Sequence, residues 1–318
     1  MADVSIIIPT YNRLWSLPQA LDSCRGNSCQ TEIIVVDDGS TDETWEWLQQ
    51  QPDVIAIRQE NLGKDWAVNH GFAVASGEFI RFLDSDDWSI AGATDAQLKL
   101  GREAGADIVV AGYSVFSESG ELLRNQPWVP CDDFIAQQLG ECDGSHYSAF
   151  LIRRNFIAGL PHRQEAGIRD DRLFVLEMAL KGPKVATYNQ CSLGHRHHSH
   201  DRLQFPSGLR ASVTNYQHLA IYRRILGELD ARGELTQRRK SAAVRILWPL
   251  AHWIAYSHPG EAAEVAEWIY RLEPDFTPPE AGLLGWMYSH LGFRRTEQLL
   301  LCRRTVLRLL RLRSRGVT

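Results

Sequence analysis

The sequence predicts an α/β fold: a mostly parallel sheet flanked by helices, followed by an all-helical C-terminal region. Three observations predict it. Short β-branched runs alternate with segments of helical spacing from Val4 to Val110. Polar loops follow three of those runs, so they gather at the carboxyl edge of the sheet, where such sheets bind ligands. Beyond Pro206-Ser207-Gly208 the pattern is helical throughout. Two domains are therefore expected, 1–208 and 209–318.

Val4-Ser5-Ile6-Ile7-Ile8 is the first strand, and Trp15 to Arg25 has helical spacing. Glu32 to Val36 is the second strand; Ser40 or Thr41 should cap the helix that runs through Leu48. Val54 to Arg58, Gly63 to Ala75 and Phe79 to Leu83 continue as strand, helix and strand, and Ile108-Val109-Val110 is a fifth strand. Tyr113 to Phe116 and Glu121 to Leu123 flank Ser119-Gly120 as a hairpin. Asp133 to Leu139 reads as a helix, Ser148 to Arg154 as a strand, Asp170 to Leu180 as a helix and Val185 to Thr187 as a short strand. Gly194 to Arg202 reads as a histidine-dense loop. In the last third, helix breaks fall near Gly233, Pro259-Gly260, Pro274, Pro278-Pro279 and Gly292.

Hydrophobic residues make up 44% of the chain and charged residues 23%, ordinary values for a globular protein. No apolar stretch reaches the length of a membrane span, and no signal-peptide pattern opens the sequence. The six cysteines (Cys24, Cys29, Cys131, Cys142, Cys191, Cys302) have no C-x-x-C pair, so reduced thiols and a cytoplasmic setting are expected. The net charge of -5 is unevenly divided: residues 1–208 carry 29 acids against 17 bases, and residues 209–318 carry 10 against 17. An acidic front half does not suit nucleic-acid binding. It suits a site that collects a divalent metal.

Asp84-Ser85-Asp86-Asp87 closes the apolar run Glu78 to Leu83. On an extended backbone, Asp84 and Asp86 would face the same side. Packed acids repel unless a cation or hydrogen-bond donors satisfy them. Mg²⁺ and Mn²⁺ take oxygen ligands and keep positions for substrate phosphates. The alternative is a solvated acidic turn.

Four motifs occur in order: Val4 to Arg13 (VSIIIPTYNR), Glu32 to Asp42 (EIIVVDDGSTD), Asn61-Leu62-Gly63, and Asp84-Ser85-Asp86-Asp87. Together they resemble family 2 inverting glycosyltransferases of the GT-A fold, over about the first 200 residues. The resemblance implies a nucleotide diphosphate-sugar donor, a UDP-sugar, and a Mn²⁺ or Mg²⁺ cofactor. It lays Pro9, Thr10, Tyr11 and Arg13 against the base and gives Asp38 a contact to the base, where a carboxylate accepts from a ring N–H. Asn61 and Gly63 would approach the donor at a helix N-terminus, which favours an anion. Lys64 is either a diphosphate contact or a solvated lysine. The family's A-R-N-x-G run is here Ala67-Val68-Asn69-His70-Gly71, with Val68 in place of the arginine. Asp84 would serve ribose or metal, Ser85 lies within the same donor motif, Asp86 would bind the metal and Asp87 would support the turn.

Asp170-Asp171-Arg172-Leu173-Phe174 resembles the family's Glu-Asp-x-x-Phe motif. It makes Asp171 the base and Asp170 the preceding acid; a shifted alignment gives the base to Asp170, and a helix-capping role for both stays open. His195-Arg196-His197-His198 resembles a Tyr-Arg-x-His segment, which puts His198 near metal or diphosphate and lets Arg196 clamp phosphate. A separate zinc site or a plain surface loop are the alternatives there. Asp143 to Ala149 would lie near the acceptor, and Trp128 and Tyr147 would either stack on a sugar or fill the core.

Leu299, Cys302, Val306, Leu309 and Leu310 recur at helical spacing among Arg303, Arg304, Arg308, Arg311, Arg313 and Arg315. Residues 299–315 are thus a candidate for peripheral membrane contact, which would suit a lipid-linked acceptor, or for pairing as a homo-oligomer. The implied partners are a nucleotide-sugar donor and a glycan or lipid-linked acceptor, in surface polysaccharide assembly. A nucleotidyltransferase would carry a glycine-rich basic loop after the first strand, and a Rossmann dehydrogenase a G-x-G-x-x-G; neither is present. A non-catalytic sugar-binding module remains as the other class.

Overall fold

The computed structural model describes residues 2–199 and 209–315, with side chains described for 2–199 and 212–301. It divides into two compact units, one of residues up to Gln138 plus Cys142–Leu203, the other of Leu139–Glu141 and the residues from Gln204 on. The expected boundary at Pro206-Ser207-Gly208 lies outside the described residues.

In the first unit, β1 (Val4–Thr10), β2 (Thr31–Asp37), β3 (Val54–Arg58) and β4 (Phe79–Phe82) are separated by α1 (Leu17–Cys24), α2 (Thr44–Leu48) and α3 (Lys64–Val74). After β4 come β5 (Trp88–Ser89), α4 (Ala93–Ala104), β6 (Ile108–Phe116), β7 (Leu122–Gln126), α5 (Phe134–Leu139), β8 (Leu151–Arg153), α6 (Asp170–Ala179) and β9 (Val185–Arg196). The nine strands form one sheet of order β3-β2-β1-β4-β8-β6-β9-β5, with β7 beside β6. β3, β2, β1 and β4 run parallel, so their carboxyl ends share one edge. β8 is antiparallel to β4 and β6, which makes the sheet mixed beyond β4.

Strand alternation assigns each face its core. Ile7, Ile34 and Val36 point toward Ala67 and Val68 of α3 and Phe174, Val175 and Met178 of α6. Val4, Ile6, Ile8, Ile33 and Val35 point the other way, onto Leu17, Leu21 and Cys24 of α1, Leu48 of α2 and Leu98 of α4. Gly71 lets α3 lie directly on the sheet: a Cβ there would fall 2.5 Å from Ile7 Cγ2.

Several elements differ from expectation. β9 continues through Gly194, His195 and Arg196, because it pairs with β6 from Ile108 to Phe116 through register shifts around Gly112. Its mid-strand polar residues conceal the strand signal. β5 pairs with Leu193 and Gly194, and the Trp88 ring occupies the space a Cβ of Gly194 would take. α4, not assigned from the sequence, buries Leu98 and Gly101 between the left-handed glycines Gly92 and Gly105. α2 begins after Glu43, and the amide of Thr44 is satisfied by Asp42 Oδ1 at 3.0 Å rather than by a Ser40 or Thr41 cap.

The second unit consists of α7 (Leu209–Ala231), α8 (Gln237–Ala255), α9 (Pro259–Leu272) and α10 (Gly282–Arg315). Gly292, at φ 77°, interrupts α10, and the breaks fall at the glycines and prolines expected. Among the described residues no helix is long and apolar enough to cross a membrane.

Gly71→Val is expected to lower stability by about 1–3 kcal/mol through overpacking against Ile7, read by urea denaturation of the full chain. Unchanged stability would contradict this account of α3.

Candidate active site

The site is assembled from four loops at the carboxyl edge. Pro9 and Thr10 are the buried end of β1, Tyr11 is 41% exposed, and Asn12 adopts a left-handed φ of 52°. Asn12 Oδ1 accepts from the Thr41 amide at 2.8 Å, and the Asn12 amide donates to Ser40 Oγ at 2.9 Å. The Arg13 amide donates to Thr44 Oγ1 at 3.2 Å, and its guanidinium lies over the Trp15 ring. The loops after β1 and β2 are thereby locked to each other.

Asp37 and Asp38 are both buried. Asp37 accepts from the Ser40 amide and pairs with Arg58 at 3.3 Å; burial holds its carboxyl above the usual range. Asp38 Oδ1 accepts from Gln59 Nε2 at 2.8 Å and the Leu62 amide at 2.9 Å, and Oδ2 accepts from the Gly63 amide at 2.9 Å. Asp38 therefore holds the loop that carries Asn61 and Gly63, a role its sequence position did not reveal. A base contact from Asp38 would use the lone-pair directions these donors leave. Gly39 at φ +75° admits the close approach, since a Cβ there would lie 2.9 Å from the Asn61 amide. Asn61 itself is exposed.

Gly63, at φ 108°, starts α3 and presents Lys64. Lys64 Nζ pairs with Asp84 Oδ1 at 2.6 Å. Burial opposes its charge, but Asp84, Asp170 and Asp171 around it outweigh burial and raise its pKa. One ammonium thus stands among carboxylates from two ends of the cleft.

β4 stops at Phe82, and the chain turns, with the Asp87 amide donating to Asp84 O at 3.0 Å. The acids therefore converge through a turn rather than along an extended strand, and three of them meet instead of two. Asp84, Asp86 and Asp87 can each offer an oxygen within 4.8 Å of the others. Ser85 is buried between them. Burial opposes ionisation of Asp84, yet Lys64, His146 and His195 hold its carboxyl below the usual range. His198 Nε2 lies 3.1 Å from Asp86 Oδ2, with the ring edge-on to Trp15. Arg196 Nε donates to Asp86 O at 3.1 Å, and the guanidinium packs over Trp88 and Trp15. Asp87 accepts from His195 Nδ1 at 3.0 Å and from the Arg196 amide at 2.9 Å. Hard oxygens with the His198 imidazole against Asp86 fit Mn²⁺ or Mg²⁺.

Asp170 and Asp171 open α6 and differ sharply. Asp170 is buried, and its Oδ2 meets His162 Nδ1 at 2.7 Å, while His162 Nε2 meets Tyr147 Oη at 3.0 Å. Asn69 clamps the main chain of His162 from α3, accepting from its amide and donating to its carbonyl, each at 2.8 Å. Burial opposes the Asp170 charge, but His162 and Lys64 hold its pKa below the usual carboxylate value. Asp171 is half-buried and accepts from the adjacent Arg172 amide. His162 was missed by sequence reasoning, because a lone histidine carries no local signal. Trp128 and Tyr147 are both buried in the core, with Trp128 against Phe134 and Phe150, and Tyr147 stacked on Phe82.

Residues 5–158 match the family described as Glycosyl transferase family 2. This segment, just under half of the chain, is a glycosyl transferase family 2 domain. GlyA of Streptococcus pneumoniae, a glycosyltransferase, is 36% identical over 121 residues, covering 36% of this chain and 17% of that protein. The GalNAc(5)-diNAcBac-PP-undecaprenol beta-1,3-glucosyltransferase of Campylobacter jejuni is 33% identical over 131 residues, 39% of this chain and 42% of that one. The chain spans less than half the length of either relative. Among solved structures, S. aureus TarS 1-349 with UDP-GlcNAc superposes with a TM-score of 0.54 at 14% identity, covering 93% of this chain and 90% of that one. The architecture is the GT-A type expected from the sequence. Asp170, Asp171, Arg196 and His198 lie beyond the matched residues 5–158.

Because the Asp170 pKa is depressed in the folded chain, its stabilising contribution is present above the ordinary carboxylate pKa and is lost as pH falls through the lower folded value. Asp170→Asn is expected to cost about 1–3 kcal/mol at neutral pH. The gap to the unaltered protein should shrink below about pH 4. Denaturant titrations across pH measure it, and a gap independent of pH would refute an ionised Asp170.

Proposed function

We propose that the chain is an inverting, metal-dependent glycosyltransferase that moves a sugar from a UDP-sugar to a hydroxyl of a glycan or lipid-linked acceptor. The observation that carries this reading is the convergence of Asp84, Asp86 and Asp87 at the carboxyl edge, joined through Lys64 to the Asp170-Asp171 pair. A UDP-sugar donor gains support from the fold shared with TarS, which has been solved with UDP-GlcNAc. A lipid-linked acceptor gains support from the Campylobacter relative, whose name specifies an undecaprenol-linked substrate.

Asp86 and Asp84, with His198 beside them, would hold the dication. Bound there, Mn²⁺ or Mg²⁺ stabilises negative charge on the departing diphosphate as a Lewis acid. The chain's own residues do the rest. Pro9 to Arg13 and Asp38 shape the pocket for the base, with Asn61 and Gly63 along its wall. Asp171 takes the acceptor's proton as the acceptor oxygen forms its bond to the anomeric carbon, from the face opposite the diphosphate. The electron pair of the breaking glycosyl bond leaves on the diphosphate oxygen, through a transition state of oxocarbenium character. Asp170 is engaged by His162, which favours Asp171 as the base and gives Asp170 a positioning role. Arg196, held against Trp15 and Trp88, lines the cleft beside the acids. The remaining proposals are a peripheral membrane contact or subunit pairing through 299–315, cytoplasmic location and a part in surface polysaccharide assembly. Side chains from Cys302 onward lie outside the described residues.

A panel of nucleotide-sugars with Mn²⁺, read by thermal shift and by nucleoside diphosphate release, tests the reading. UDP-Mn²⁺ should stabilise the chain more than GDP or dTDP does. On the donor found, Asp171→Asn should lower turnover by about 10²–10⁴-fold while the UDP-Mn²⁺ shift persists. Equal response to every nucleotide, or full turnover in Asp171→Asn, would count against it.

A further inference from the structure

Behind the three aspartates the structure gathers a second ligand set from three distant segments. Asp87 follows β4, His146 precedes the short 3-10 turn Tyr147–Ala149, and His195 is near the end of β9. Each can offer a ligand atom within 4.8 Å of the other two. Asp87 belongs to both sets, so the histidines adjoin the acidic cluster.

The two imidazoles are built into place rather than waving in solvent. Their ring centroids lie 5.0 Å apart, and both rings meet Tyr113 edge-on, at 6.0 and 6.2 Å. His195 is carried by a strand paired along its length with β6, and its Nδ1 contacts the Asp87 carboxylate at 3.0 Å. Asp87 is in turn fixed by the Arg196 amide, and its side chain is 1% exposed. At that spacing Asp87 Oδ2 and His195 Nδ1 can both bind one ion, which displaces any proton shared between them. His146 makes a single hydrogen bond among the described residues, a long one of 3.3 Å in which Nδ1 accepts from the Ser148 amide. So long a bond is readily given up to a cation.

Donor chemistry then sets which ion such a site takes. Mg²⁺ favours oxygen ligands, whereas imidazole nitrogen suits Zn²⁺, Co²⁺ and other transition metals, with affinity rising along the first row. We propose that Asp87, His146 and His195 form a mixed nitrogen and oxygen ligand set beside Asp84 and Asp86, which takes a transition-metal dication in preference to Mg²⁺. This rests on the reading of the acidic cluster as a dication site, and it adds that two histidines select the ion. Neither histidine signals this role in the sequence, where they lie far apart and His195 occupies a position where the resembling motif has tyrosine.

The test uses the untagged full chain with Co²⁺, Zn²⁺ and Mg²⁺ alone, followed by calorimetry and by the d–d absorption of Co²⁺. His146→Gln and His195→Gln should each weaken Co²⁺ and Zn²⁺ binding by about tenfold or more and shift the Co²⁺ bands, leaving Mg²⁺ affinity within about twofold. A second measurement needs no variant. Pulsed EPR of Mn²⁺ on the chain labelled with ¹⁵N-histidine should show couplings to more than one imidazole, since His198 alone would give one. Dication binding that depends on Asp86 but ignores both histidines, with at most one nitrogen coupling, overturns this inference and leaves the donor-site reading standing. A chain that binds none of these ions overturns both.

Discussion

The ion pair between Lys64 and Asp84 is the constraint on which the cleft depends. Asp84 pairs with this ammonium from the turn after β4, and Asp170 and Asp171, at the start of α6, add their fields to it. Two like charges about 4 Å apart repel by about 4 kcal/mol at an effective dielectric near 20, so the clustered acids Asp84, Asp86 and Asp87 need a cation beside them. Lys64 in turn stands where it does because Asp38 grips the two amides before it, and because Gly71 lets α3 lie flat on the sheet. Asn69, on the same helix, clamps His162, and His162 holds Asp170. A single helix thereby ties the loops after β2, β3 and β4 to α6 by hydrogen bonds and charge.

That linkage separates two adjacent acids that look alike in sequence. Asp170 turns inward to a buried imidazole backed by Tyr147, while Asp171 stays half-buried. A carboxylate already fixed by a donor at 2.7 Å is suited to holding a charge in place. One with fewer partners is suited to accepting a proton.

Much of this was legible beforehand, for identifiable reasons. The first four strands are β-branched runs closed by turn residues, and their parallel order follows from the helices between them. The acids of residues 84–87 were legible as a cluster because they are contiguous. What stayed hidden depends on partners across the sheet. β9 looks polar in isolation and becomes a strand only beside β6. His146 and His162 gain meaning only from Asp87 and Asp170, and no local pattern links those positions. Asp38 was assigned to the base by resemblance, and the structure adds that both its oxygens hold a neighbouring loop.

The central claim is that carboxylates from separate segments surround one cation that grips a pyrophosphate. Anomalous diffraction from a crystal of this chain grown with Mn²⁺ and UDP tests it most directly. The account predicts a manganese peak within coordination distance of an Asp86 oxygen, with the diphosphate on the ion's far side. A peak elsewhere, or aspartates 84 and 86 turned out to solvent beside bound UDP, would contradict it.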